Sequence, residues 1–337
     1  MKKLVFCLGV TSLALASFCF PNFLASRPVP YSKVSQELGV FSLSSQIWLA
    51  DQDLSLAKIK KQGDNRKELK KIFSRLAELT NEIKKPMDVA LKKKFKAKNR
   101  NHTYLPYDEN RTGREIPGFY LSASDVITHA QHYIVAQAPL KATISDFWHA
   151  LLVRHCPLIV TTAMPIEFNQ DKAYAYWEEE AFPVYTKEWK IEHSNKNKEI
   201  LGTASKHRLV KRTFYATNRE TSEKQTITQL HYENWPDNGI PDMRLFTKLL
   251  DATDSMALSK ETPITVHCSA GIGRSGTFVA GHSLRKSIRK EKSNKKKLES
   301  LTINIPEAVM ILRLQRKWMV ATSRQLQTIY QLLGDEI

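Results

Sequence analysis

Between residues 65 and 84 the apolar positions Leu69, Ile72, Phe73, Leu76, Leu79 and Ile83 return at steps of three and four, with lysines among the positions between them. Such spacing gathers the apolar groups on one stripe and predicts an amphipathic helix. A short second helix is expected to open at Pro86, because proline suits a first helical turn. Upstream, 21–60 shows no comparable period, and Pro28 and Pro30 suggest an extended linker. Beyond Arg100 the texture changes to short β-rich runs separated by helical ones. The runs 119–122, 133–136, 158–162, 209–215, 226–232 and 264–267 read as strands, and 143–153, 244–256, 276–289, 306–317 and 322–333 as helices. The polar run 218–222 reads as a turn between antiparallel strands.

The N-terminus breaks this pattern. Met1-Lys2-Lys3 is followed by an apolar run from Leu4 to Phe20 with a small-x-small site at Ala14-Leu15-Ala16, the layout of a secretory signal peptide. The run is short for a span of about 20 residues, so cleavage near Ala16 is favoured over a retained anchor. The expected organisation is a signal peptide at 1–16, a linker or poorly defined segment at 17–60, and a domain at 61–337 that includes the N-terminal helices. Export to the periplasm or beyond the cell follows as an expectation.

Composition is that of a globular chain: 337 residues, 42% hydrophobic and 25% charged. Cysteines occur only at 7, 19, 156 and 268, too few and too scattered for a disulfide framework. A free Cys268 in an exported chain would be open to oxidation, so its presence asks for a chemical reason. The 51 basic and 34 acidic residues leave a net charge of +17, concentrated in runs at 92–96 and 285–297. Solvated faces are the plain reading; an anionic membrane surface or an acidic substrate is the alternative. No groove-reading module accompanies the charge, so no nucleic-acid partner is expected.

The chemical reason lies in Val266-His-Cys-Ser-Ala-Gly-Ile-Gly-Arg-Ser-Gly-Thr277. With a strand ending at His267 and a helix opening at Gly276, the segment from Cys268 to Arg274 is the connecting loop. Glycines at 271, 273 and 276 let successive N–H groups turn inward, forming a nest at a helix N-terminus suited to a tetrahedral dianion. The positive pole should depress the Cys268 pKa and favour the nucleophilic thiolate. Arg274, at the end of a Cys-x5-Arg pattern, can grip two phosphoryl oxygens, and the Ser275 hydroxyl can steady the thiolate. A nucleotide-binding phosphate loop would need a Gly-Lys-Ser/Thr ending, and no lysine is present.

From this segment outward the chain resembles the protein tyrosine phosphatase family, over about residues 98–333. The resemblance implies one α/β domain with a twisted mixed β-sheet flanked by helices, and hydrolysis of phosphotyrosine through a cysteinyl-phosphate. It implies Cys268 as nucleophile, and substrate binding by Ser269, Ala270, Gly271, Ile272, Gly273 and Arg274. Trp235-Pro-Asp237 is similar to the family's acid loop, with Asp237 as proton donor and then base. Glu167 and Lys172 resemble the residues that orient the arginine and approach the acid loop, while His267 and Trp235 would support the cradle from behind. Arg313, Arg316 and Gln325 match the arginine-rich helix and glutamine loop; Tyr133, Gln137, Asp146 and Trp148 match a segment taken as core.

Two departures stand out. Where most members carry a substrate-stacking tyrosine and, two positions on, an acidic residue, this chain offers Asn101 and Thr103, with His102 and Tyr104 beside them. Where the family has a glutamine that positions hydrolytic water, this chain has Ala321, leaving Gln325 to take over or turnover to slow. The lysine surface and the first departure raise phosphoinositide hydrolysis as an alternative; the second raises a phosphotyrosine-binding pseudophosphatase. No metal or other cofactor is expected, and the chain is expected to act as a monomer on a phosphotyrosine-containing protein.

Overall fold

In a computed structural model, residues 37–164, 174–294 and 302–336 are described. The expected signal peptide, Cys7, Cys19, Pro28 and Pro30 lie outside them, as do Glu167 and Lys172. The chain opens with α1 (Leu43–Ala50), β1 (Leu54–Ser55), α2 (Leu56–Asp64), α3 (Arg66–Glu82) and α4 (Asp88–Leu91). Then come β2 (Ala123–Ile127), β3 (His132–Ala136), α5 (Ile144–Val153) and β4 (Leu158–Thr161). An antiparallel run follows: β5 (Val184–Tyr185), β6 (Trp189–Glu192), β7 (Lys198–Ala204), β8 (His207–Asn218) and β9 (Lys224–Glu233). The last third is α6 (Met243–Asp254), β10 (Ile264–His267), α7 (Gly273–Ser293), β11 (Thr302–Ile303), α8 (Ile305–Gln315) and α9 (Ser323–Gly334).

Among the described residues the main sheet runs β2-β3-β10-β4-β9-β8-β6-β5, with β7 attached to β8. Its centre, β3-β10-β4-β9, is parallel, and both flanks are antiparallel. This is the twisted mixed sheet flanked by helices that the resemblance implies. The central strands alternate sides with period two. Tyr133, Val135, Leu158, Val160, Ile264 and Val266 face the helical layer of α3, α6, α7, α8 and α9. Ile134, Ala136 and Ile159 face a second core built around Phe147 and Trp148 of α5. Parallel strands buried on both faces place ligand sites at their carboxyl ends, and the end of β10 is His267-Cys268.

Several boundaries differ from expectation. The supposed linker is helical from residue 43: Ser42 caps α1 by accepting from the Ser45 N–H (3.3 Å), and Phe41, Leu49 and Ile59 are buried in the helical-side core. The strand expected at 119–122 begins instead at Ala123, because the Ala123 N–H turns back onto Leu121 O (2.8 Å) and bends the preceding residues off the ladder. The helix expected at Pro86 starts at Asp88, where the Asp108 carboxylate accepts from the Asp88 and Val89 N–H groups (2.8 and 3.0 Å). Strands β5 to β7 escaped the sequence pattern. Two of them are short, and β7 lies off the main path with a bulge between Ile200 and Gly202 and no buried face.

α3 is capped by Asn65, whose Oδ1 accepts from the Glu68 N–H, and its buried stripe is Leu69, Ile72, Leu76, Leu79 and Thr80. Leu76 is fully enclosed. Leu76→Ala should lower stability by about 2–5 kcal/mol, the range for deleting a buried leucine side chain, and urea unfolding followed by tryptophan fluorescence measures it.

Candidate active site

α7 begins at Gly273, three residues earlier than the expected Gly276, so Arg274 stands in the first helical turn rather than at the end of the loop. Cys268 is buried at the tip of β10, and its sulfur accepts from the Gly271 N–H at 3.2 Å. Gly271 has a φ of +70°, and a Cβ there would lie 2.1 Å from Ala136 O. Only glycine fits, for conformation and for space alike. Gly276 is constrained by contact alone, since its Cβ would meet Val320 N at 2.4 Å.

Burial pushes the Cys268 thiol up, but the charges and donors around it prevail and its pKa falls below the ordinary cysteine value. The largest is the Arg274 guanidinium, followed by hydrogen bonds from the Ser275 hydroxyl and from the backbone of Ser275 and Ile272. The Ser275 hydroxyl is buried and has no other hydrogen-bond partner among the described residues. Sulfur, cation and backbone donors therefore form one electrostatic unit.

The acid loop folds over this unit. Arg274 donates to Trp235 O (3.1 Å), and its other terminal nitrogen lies 3.4 Å from Asp237 Oδ1. Trp235 is fully buried and donates from its indole to Gly239 O (3.3 Å), anchoring the loop while Asp237 stays more than half exposed. The structure thus brings Cys268, Arg274, Ser275, Trp235 and Asp237 together. Ser269, Ala270, Gly271, Ile272 and Gly273 form the loop around the sulfur.

His267 lies behind the nucleophile. Its Nδ1 faces Cys268 O at 3.1 Å, which makes that nitrogen the N–H donor; Nε2 then accepts, from Tyr176 OH at 2.8 Å or Thr161 Oγ1 at 2.9 Å. Gln229 donates to both hydroxyl oxygens. Burial foremost, with Arg100 and Arg274 adding to it against the Cys268 carbonyl, lowers the His267 pKa to about 4, so the ring is neutral at physiological pH. Thr161 and Gln229 were not foreseen; they sit on β4 and β9 at inward positions that look like ordinary core in the sequence.

The rear of the cradle is held by two buried arginines. Arg316 donates to Gly271 O (2.8 Å) and Ala270 O (3.1 Å), and Arg313 to Met319 O (2.9 Å) and Val320 O (2.8 Å). Gln325 Oε1 accepts from the Ala321 N–H at 2.8 Å, and a Cβ on Gly273 would stand 2.8 Å from its Nε2, so the Gln325 amide abuts the cradle. Gln137, read as core, braces the substrate side: it accepts from the Arg100 N–H and donates to Lys98 O, while Ala138 N donates to Ser269 O (2.9 Å). Asn101 Oδ1 closes a turn on the Thr103 N–H (2.7 Å), leaving His102 and Thr103 exposed. Among the described residues, no group of three or more His, Cys, Asp or Glu side chains is arranged to hold a metal ion.

A cysteine with a lowered pKa in a backbone anion nest, opposed by an arginine and a carboxylate at the carboxyl end of a central parallel strand, defines a cysteine-dependent phosphoryl-transfer type of site. The protein-tyrosine phosphatase family model matches residues 95–335, and the chain belongs to that family. It is 30% identical over 242 residues to tyrosine-protein phosphatase non-receptor type 20 of Mus musculus, covering 70% of this chain and 53% of that one. It is also 30% identical over 260 residues to receptor-type tyrosine-protein phosphatase N2 of Macaca nemestrina, covering 74% and 24% respectively. The chain spans about half or less of the length of these curated relatives. A solved structure of PTPN18 in complex with HER2-pY1196 phosphopeptides shares the fold, with a TM-score of 0.72 at 22% identity over 84% of this chain and 97% of that one.

Alkylation of Cys268 by iodoacetamide should proceed with a midpoint pH below that of free cysteine. In Arg274→Met the largest stabilising charge is gone and the midpoint should move up. A midpoint unmoved in the variant would show that the cation does not govern the thiol.

Proposed function

We propose that the chain hydrolyses phosphotyrosine in proteins through a cysteinyl-phosphate. The carrying observation is the depressed Cys268 thiol within one cradle with Arg274, under an acid loop whose Asp237 reaches that arginine. In the first step Cys268 Sγ attacks phosphorus, the bond from phosphorus to the tyrosyl oxygen breaks, and Asp237 gives that oxygen its proton. In the second, water attacks the phosphocysteine, Asp237 carboxylate takes a proton from the water, and the S–P bond breaks. Arg274 and the inward N–H groups stabilise the equatorial oxygens as charge shifts. The similarity to PTPN18 in complex with phosphopeptides supports a phosphotyrosine-containing substrate.

Ala321 leaves the water-positioning task to Gln325, which is tethered to the Ala321 N–H rather than free to swing. Hydrolysis of the intermediate is therefore the slow step in this reading. Cys268→Ser should abolish release of p-nitrophenol from p-nitrophenyl phosphate, and Asp237→Asn should slow it by about 10²–10⁴-fold. The parent should show a burst of p-nitrophenol followed by a lower steady rate, and Ala321→Gln should raise that rate and shrink the burst. Turnover by Cys268→Ser would defeat the nucleophile assignment; a parent without a burst would place the slow step before the intermediate.

The exposed Lys92, Lys93, Lys94 and Lys96, with Leu91 beside them, stand immediately before the substrate-side segment and support an anionic membrane surface as a partner. The leader supports export to the periplasm or beyond the cell. Protein recovered outside the cytoplasm should begin just after Ala16 when its N-terminus is sequenced; an intact Met1 would remove the basis for this reading.

A further inference from the structure

Just ahead of the substrate-side segment the chain raises a small knob. α4 ends at Leu91, and a 3₁₀ turn over Lys93–Lys98 follows. Phe95 turns inward, stacked on Tyr120 with ring centroids 4.7 Å apart, and joins Ala90 and Leu105 in a core of its own. Leu91 has no place in that core. It is 62% exposed, the most exposed large apolar side chain among the described residues, where burial would be the ordinary fate of a leucine. Lys92, Lys93, Lys94 and Lys96 follow it, all exposed, and none forms an ion pair among the described residues.

The positive charge collects here rather than at the chain's other basic run. On α7, Arg285 and Arg289 both donate to Asp251 and Glu336, Lys286 donates to Gln131 Oε1, and Lys292 to Glu336 O. Across 84–98, by contrast, seven lysines accompany one acidic residue, Asp88, and the nearby carboxylates of Glu109 and Asp146 pair with Lys85 and Lys98. The knob is also joined firmly to the site. Asn99 donates to Ala90 O (3.0 Å) and accepts from Tyr120 OH, which fixes the turn behind Leu91. The next residue, Arg100, donates its N–H to Gln137 Oε1 (3.1 Å), and Ala138 beside it donates to Ser269 O (2.9 Å) in the loop around the sulfur. Leu91 and the lysines therefore stand on one rim of the cradle, linked to it by consecutive hydrogen bonds.

We infer that the knob is a docking surface for an anionic bilayer, and that it selects phosphotyrosines on polypeptides tethered to that bilayer. Leu91 enters the headgroup boundary, where an exposed leucine gains burial, while the lysines engage anionic headgroups. An acidic protein would satisfy the lysines but gives no reason for the bare leucine among them. Because the knob is fixed to the Asn99 to Ser269 side of the cradle, docking holds the site at the bilayer surface. A tethered phosphopeptide then meets it at a raised effective concentration, and a free one gains nothing. The choice of substrate rests on the phosphotyrosine reading; the docking surface does not.

The binding test needs no turnover. The full chain is sedimented with vesicles of phosphatidylcholine alone or mixed with phosphatidylserine, and it should pellet with the mixed vesicles only. Each of Lys92→Ala, Lys93→Ala and Lys96→Ala should weaken that binding roughly fivefold, the three changed to glutamate together should abolish it, and Leu91→Ala should weaken it. The rate test compares a phosphotyrosine peptide bearing an acyl anchor, on mixed vesicles, with the same peptide unanchored in solution. The parent should favour the anchored peptide by about tenfold or more. The triple glutamate variant should lose that preference yet release p-nitrophenol from p-nitrophenyl phosphate at the parent rate. Pelleting with both kinds of vesicle, or by the triple variant, would overturn the docking surface. Tight binding of polyglutamate that Leu91→Ala leaves unchanged would overturn it in favour of an acidic protein. Binding to mixed vesicles without preference for the anchored peptide would overturn the substrate choice. If no substrate released phosphate, the phosphotyrosine reading would fall while sedimentation still decided the surface.

Discussion

A nucleophilic sulfur sealed from water is the constraint around which the molecule is organised. Its desolvation would drive the proton back onto sulfur unless positive potential is fixed nearby, and the fold supplies that potential from the Arg274 side chain and from backbone N–H groups. The N–H groups point inward only because residues 268–274 hold a conformation that an ordinary loop would abandon. Gly271 pays no steric cost at positive φ, yet its position against Ala136 O leaves no room to relax. The loop's outward-facing carbonyls must still be satisfied, and Arg316 does this from behind at Gly271 and Ala270.

Arg316 and Arg313 are buried cations, each lowered to about 10 mainly by loss of water, and so still charged at neutral pH. No carboxylate forms an ion pair with either among the described residues; carbonyl oxygens solvate them instead. Such an arrangement is weak as a source of stability but strong as a device for fixing geometry, since a guanidinium fork sets several backbone oxygens in one plane. Val320 shows the consequence. A β-branched residue at φ +59° is strained by roughly 1–3 kcal/mol. It is held there by the hydrogen bond from its N–H to Ile272 O and by Arg313 on its carbonyl.

What could be read from the sequence divides along the same line. The central strands and the six helices of ten or more residues were legible because buried strands and amphipathic stripes leave periodic apolar positions, and the Cys268 to Thr277 segment was legible because its glycines and charges make little sense without an anion. The helices over 43–64 were not legible. Their contacts are with distant residues: Asn304 on Leu49 O, Ile303 across from Leu54, and Lys60 against Gly334. Gln229 and Thr161 were missed for a related reason, since a polar residue at an inward strand position announces nothing until its partner His267 is in place. Glu167 and Lys172 lie outside the described residues, so their roles rest on the resemblance alone.

The N-terminal helices are more than an appendage to the family domain, and Arg313 is the reason. The same guanidinium that holds Met319 O and Val320 O also donates to Leu76 O and Thr80 Oγ1 of α3, each at 2.8 Å. Leu76 O is an in-register helix carbonyl and also accepts from the Thr80 hydroxyl at 2.6 Å, so the arginine is satisfied only while that turn of α3 stays helical and seated. Loss of the turn would leave a buried cation with half its acceptors. It would also loosen the loop from Met319 to Ala321, on whose N–H groups Ile272 O and Gln325 Oε1 depend. The amphipathic stripe that opens the domain is in this sense part of the cradle's rear wall, joined to Cys268 through one buried side chain.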